Sequence, residues 1–252
     1  MDAIKYFDCN CIVGRRTVMN ACSFYNINDL VRKMNYYGIE RAMVYHSMAK
    51  DYCPTIGNQM LLDEIQDFLF LYGVWVVLPH HTGEFPEPSE LRRQMREKNI
   101  KAVRMFPSSA DQKYSFSEWC CGDLFEMLEQ CRVPLMLDLS QITWNELHET
   151  MSAHPELRVI LTNLHYSVGR NIYPLLKKFE HLYVETIGYK VFNGIEELCG
   201  RYGAERLIFG SNTPIYSGGA AIGMISYAQI SHEEKCRIAG GNLEKLLGGV
   251  SL

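Results

Sequence analysis

Two hydrophobic patterns alternate along the chain. Short apolar runs rich in Val, Ile, Leu and aromatic residues occur in "IKYFDCN", "RAMVYH", "GVWVVLP", "KAVRMF", "PLMLDL", "RVILTNL", "LYVET" and "RLIFGSN". Between them lie "INDLVRKMNYY", "GNQMLLDEIQDFLFLY", "SELRRQMREKN", "GDLFEMLEQC", "TWNELHETMSAH", "NIYPLLKKFE" and "NGIEELCGRYG", with apolar residues near i, i+3, i+4 spacing. The second pattern predicts amphipathic helices. The first predicts strands buried on both faces, as in a parallel sheet. About eight strand–helix units within 252 residues predict an α/β fold, a single-domain (β/α)8 barrel over residues 1–252. A doubly wound sheet would show fewer strands, and often a glycine-rich fingerprint after the first; "CIVGRR" has one glycine.

The connecting segments refine this picture. "GEFPEPSE" (83–90) reads as a Pro-rich loop before a helix, and "SSADQKYSFSEW" (108–119) as a long loop and lid candidate. "SHEE" (231–234) has the form of a capping box. The longest apolar run, "FLFLYGVWVVLP", is interrupted by Gly73 and is too short to span a bilayer. It reads as a helix end, a turn and a buried strand.

Composition narrows the class. Hydrophobic residues make up 47% and charged residues 21%, enough for a large core. The net charge is -4 without a long basic run, which argues against nucleic acid as a partner. The nine cysteines are scattered, with neither CxxC nor zinc-finger spacing, and read as reduced packing residues. No secretory pattern opens the chain, so a cytoplasmic protein with a small-molecule ligand and no membrane partner is expected. The sequence leaves the oligomeric state open, a homo-oligomer included.

A barrel carries its chemistry at the C-terminal strand ends. The first strand offers Asp8 and Asn10. Strict alternation puts them on one face with Ile12 and turns Cys9 and Cys11 outward. Later strand ends offer His46, then His80, His81 and Glu84, then Arg104, Asp138, Asn163 with His165, Glu185, and Ser211 with Asn212. Arg104 and Asp138 either neutralise each other as an ion pair or divide two roles. In the second case Arg104 grips a substrate carboxylate and Asp138 is a general base. Glu185 is either a second carboxylate or a partner for a neighbouring loop. "YSGGAAIG" (216–223) is either an anion site at a helix start or a tight turn capped by Ser217.

These strand ends resemble the amidohydrolase-related (amidohydrolase 2) TIM-barrel family of metal-dependent hydrolases and decarboxylases. The segment "RLIFGSNTPIYSGG…IAGGNLEKLLG" is similar to the family's closing pattern, Phe-Gly-Ser-Asp-x-Pro followed by Asn-x-x-x-Leu-Leu-Gly. "HLYVETIGY", "KAVRMFP" and "WVVLPHH" fit earlier strands. The family's opening Asp-x-His-x-His-x-Gly falls on Asp8, Asn10, Ile12 and Gly14; its fifth-strand His on Asp138; its sixth-strand His on Asn163 or His165; and its final Asp on Asn212. The resemblance implies a hydrolase or lyase acting on a small carboxylated molecule. Asp138 with His80 or His165 would be catalytic, and Asp8, Asn10, Arg104, Glu185 and Asn212 would line the substrate. With the ligand positions substituted, no cofactor and no metal residues are expected. Two alternatives stand beside this: a catalytically inactive binding or structural subunit, and a weak or non-standard divalent site built from His46, His80, Asp138, His165 and Glu185.

Overall fold

The eight apolar runs form the staves of one closed parallel barrel in the computed structural model, which describes residues 3–18, 20 and 23–252. The strands are β1 (Tyr6–Val13), β2 (Ile39–His46), β3 (Leu71–Gly73), β4 (Trp75–Val76), β5 (Val103–Met105), β6 (Leu135–Asp138), β7 (Val159–Thr162), β8 (Leu182–Glu185) and β9 (Leu207–Ile208). β1-β2-β3 form one parallel run and β4 through β9 another. β3 and β4 are the two halves of the third stave, interrupted at Val74. Closure comes from the Cys9 N–H to Phe209 O and the Ile12 N–H to Thr213 O, both 2.9 Å.

Beyond Val74 the stave no longer pairs with β2, and a contact that periodicity does not carry takes its place. Buried Asn58, on the helix Pro54–Ile65, donates to Val76 O at 2.8 Å and accepts from Val76 N at 2.9 Å. A side-chain amide thus occupies backbone groups that would otherwise need a strand partner. That helix begins at Pro54 and ends at Ile65, earlier at both ends than the apolar spacing indicates. Phe68 and Phe70 instead flank a turn leading into β3, with Leu69 93% exposed at its tip.

Side chains alternate across each strand, giving two apolar layers. Outward residues such as Val103, Leu135, Leu161 and Val184 pack against the helices. Inward residues Phe7, Met43, Val76, Met136, Ile160 and Ile208 fill the barrel, which the final helix (Asn242–Gly248) closes below with Leu243, Leu246 and Leu247. The capping box at Ser231 and Glu234 is formed. All eight described cysteines are free thiols, five of them buried. Among the described residues no helix is long and apolar enough to cross a membrane.

Candidate active site

The floor of the site starts from an irregularity in β1. Asp8 pairs with Ala42 and Cys11 with Val44, so three steps on β1 oppose two on β2. This is a β-bulge, and it breaks strict alternation. Cys11 packs outward, as alternation predicts, whereas Cys9 joins the interior layer beside Phe7 and Ile12. Asp8 braces the bulge: its Oδ1 accepts from Asn10 N at 3.0 Å and Ser211 N at 2.9 Å. Its Oδ2 is buried without a partner. Burial raises the Asp8 pKa, and the hydrogen bonds from Ser211 and Asn10 oppose that rise.

Asn10 is the centre of the floor. Its amide donates to Glu185 Oε1 at 2.7 Å, and its carbonyl oxygen accepts from Arg104 at 2.7 Å. Glu185 Oε2 accepts from Asn163 N at 3.0 Å. Complete burial pushes the Glu185 carboxyl up to about 7, against the pull of Asn163, Asn10 and Arg104. Arg104 also donates to Thr162 Oγ1 at 3.1 Å, and its guanidinium lies over the rings of Tyr45 and Phe106 at 4.7 and 5.2 Å. Room for the Asn10–Glu185 bond comes from Gly210, on the stave between them. A Cβ there would lie 2.4 Å from Glu185 Oε1 and 2.9 Å from Cys9 Sγ. Thr162 is an inward polar residue in "RVILTNL", a signal alternation alone could have supplied.

Asp138 lies above this floor, half-buried at the end of β6. Among the described residues it makes no ion pair with Arg104. Its Oδ1 accepts from Ser140 N and Oγ at 2.9 and 2.8 Å, and from Asn163 Nδ2 at 3.5 Å. Asn163 therefore connects Asp138 to Glu185. Asn163 and Asn212 both take a left-handed backbone, φ 55 and 49, a conformation Asn tolerates at strand ends. Asn212 is buried, and its carbonyl receives the N–H groups of Ile215 and Tyr216.

The histidines do not converge. His46 is buried outside the floor, where its Nδ1 accepts from Met48 N and caps the following helix. Burial lowers its pKa. The His80 and His81 rings pack at a 48° tilt, 4.3 Å between centroids. His165 is exposed, with Nδ1 2.7 Å from Ser167 Oγ. The five-residue metal set of His46, His80, Asp138, His165 and Glu185 is not assembled. Among the described residues, no three His, Cys, Asp or Glu side chains are grouped to hold an ion.

The mouth is divided. The segment after β5 is strapped down on both sides rather than free. Lys50 pairs with Asp111 at 3.2 Å and Gln112 donates to Ala49 O at 3.0 Å, while Gln141 donates to Asp111 at 2.7 Å. One cleft of about 390 Å³ opens over β6 to β8, lined by residues including Ser140, Asn163, His165, Tyr166, Lys190 and Tyr216. Another, of about 410 Å³, lies beside the strap and includes His81, Gln112 and Tyr114. The segment "YSGGAAIG" forms the start of the helix Gly218–Ser226. Ser217 occupies the cap position without a side-chain cap bond, its Oγ lying 3.2 Å from the Tyr37 hydroxyl.

The amidohydrolase family pattern matches residues 14–249. The chain belongs to the amidohydrolase family. No curated protein sequence matches it. Solved amidohydrolase-like barrels superpose over almost the whole chain at low identity. The 2,6-dihydroxybenzoate decarboxylase from Rhizobium shares 14% identity over 98% of this chain and 99% of that one, TM-score 0.79. A dihydroxybenzoic acid decarboxylase from Polaromonas, with bound manganese and 2-nitroresorcinol, shares 16% over 98% and 97%, TM-score 0.73. The 5-carboxyvanillate decarboxylase from Novosphingobium aromaticivorans, also with bound manganese, shares 15% over 97% of each chain, TM-score 0.73.

These neighbours correct the expectation of a cofactor-free barrel. Two of them, barrels of the same fold, hold manganese, so the substituted β1 positions are no ground for expecting that no metal is used. In this chain the orphaned Asp8 Oδ2 is a hard oxygen of the kind such a cation takes. The Asn10 carbonyl oxygen is already held by Arg104, and among the described residues the side chains around it do not complete a donor set of the type the family's opening pattern builds.

Proposed function

We propose that this amidohydrolase is a hydrolase or lyase for a small carboxylated molecule, with Asp138 as the acid/base group. The observation that carries the proposal is the asymmetric anchoring of Asp138. All its hydrogen bonds fall on Oδ1, which leaves Oδ2 without a partner among the described residues at the C-terminal mouth. A carboxylate oriented through one oxygen presents the other for proton transfer. His165 lines the cleft that adjoins Asp138 through Ser140 and Asn163, and is the second proton carrier in this reading. His80, packed against His81, is the alternative. Asn10, Arg104 and Glu185 form the polar base beneath the substrate, with Asp8 and Asn212 buried beside it, and Glu185 holds the Asn163 N–H.

The test is turnover. Purified protein, with and without added manganese, would be incubated with a panel of aromatic and cyclic carboxylic acids and followed by NMR. A consumed substrate is expected, with Asp138→Asn slowing turnover by about 100-fold or more while the fold is kept. Full activity in that variant would remove Asp138 from the mechanism. Binding without turnover across the panel would instead favour a non-catalytic ligand-binding barrel.

A further inference from the structure

We infer that Lys190, which no sequence feature singles out, is the residue that selects a carboxylated ring in the cleft over β6 to β8. The inference rests on the carboxylate-substrate reading and names the group that enforces it. Lys190 Nζ lies 4.4 Å from the centroid of the Tyr216 ring, and both residues line the cleft. An ammonium over an aromatic face is attracted by the ring quadrupole, which favours this position of Lys190. Among the described residues Lys190 has no carboxylate partner. Two other cations near the mouth are engaged, Arg104 by Asn10 and Thr162 and Lys50 by Asp111, while Lys113 lines the other cleft.

The rest of the cleft supplies what an aryl or cyclic acid needs. Leu139, Leu164, Tyr166 and Tyr216 give apolar and aromatic walls, and Ser140 and His165 give polar edges. The backbone is shaped for the purpose. A Cβ on Gly188 would lie 2.5 Å from Leu164 N and 2.6 Å from Leu164 O. Only glycine lets the segment after β8 press against the one after β7, bringing Lys190 and His165 to one cleft. A carboxylate held by Lys190 keeps the ring in the cleft that Tyr166 and Tyr216 line, with Asp138 adjoining through Ser140 and Asn163. This arrangement discriminates by charge: a neutral ring of the same shape loses its one ionic partner.

Binding of benzoate, 2,6-dihydroxybenzoate and neutral benzamide would be titrated by ligand-observed NMR. The proteins would be wild type, Lys190→Gln, Lys190→Arg and, as a control in the other cleft, Lys113→Gln. Wild type is expected to hold the two acids at least ten-fold more tightly than benzamide. Lys190→Gln should abolish that preference, Lys190→Arg should largely keep it, and Lys113→Gln should leave it unchanged. Lys190 is exposed, and thermal melts would verify that its variants fold. Unchanged preference in Lys190→Gln overturns the role of Lys190 while the carboxylate reading stands. No preference for acids in wild type overturns that reading, and this inference with it.

Discussion

The Asn10 amide donates to Glu185 at 2.7 Å across the last stave of the barrel, and no side chain stands between them because that stave carries Gly210. The same Asn10 receives Arg104, so one neutral amide links a buried carboxyl to a buried guanidinium. The arrangement bonds both groups without direct ion pairing, although Arg104 Nε stays buried without a partner, and it makes the floor sensitive to single changes.

Asn10→Ala should be among the most destabilising single substitutions in the chain. It strips one partner each from Glu185 and Arg104, both buried, for a loss on the order of 3 kcal/mol. Urea denaturation would measure it. A loss under about 1 kcal/mol would mean that water or rearrangement satisfies both groups.

Gly210→Ala should force Glu185 and Cys9 aside, costing about 1–3 kcal/mol as overpacking. Paired with Glu185→Ala, the same substitution should cost much less, because the crowded oxygen is gone. A double-mutant cycle reads this coupling directly. Strict additivity would show that the clash at Gly210 is relieved elsewhere.

The proton on Glu185 should leave a signature in stability against pH. Its pKa in the folded protein is about 7, against a usual 4.5. The native state therefore holds this proton over a range where the unfolded chain has released it. This group's contribution is present in full below about 4.5 and is lost as pH rises to about 7. The lost amount is up to roughly 3 kcal/mol at one pKa unit per 1.36 kcal/mol. Glu185→Gln removes the titration, so wild type should lose stability relative to the variant between about pH 4.5 and 7. A wild-type-minus-variant difference that stays flat over that range contradicts a raised Glu185.

Gly188→Ala should separate the two loops that frame the upper cleft, since the added methyl meets the Leu164 backbone rather than a mobile side chain. Ligand affinity should fall by ten-fold or more, with a stability loss of about 1–3 kcal/mol. Intact binding would mean that the Lys190 loop can shift without moving its cation.

Much of the fold is legible in the chain. All eight apolar runs became staves, and helices such as Ile27–Tyr37 fall where their spacing puts them. Periodicity reports burial of a whole face, and a barrel repeats that signal on every strand. Asp138, Arg104, Asn10 and Glu185 could also be named, because inward positions at strand ends are few and mostly apolar. The Asn58 plug at Val76 could not, since its two hydrogen bonds join residues 18 apart for which neither local sequence gives a cue.

By itself, then, the sequence determined the alternation of strands and helices, the closing motif of the family, and which polar residues reach the C-terminal end of the barrel. The tertiary structure decided which of them meet. The bulge in β1 turned Cys9 inward and set Asn10 between Glu185 and Arg104. His46 became a helix cap, and His80 and His165 fell to different parts of the mouth. Lys190 was drawn to the cleft by the close approach at Gly188. The reason is physical: periodicity records what each segment buries, whereas a site depends on distances between segments. Those distances are fixed only when bulges, glycine contacts and loop packing set how the staves and their loops fit together.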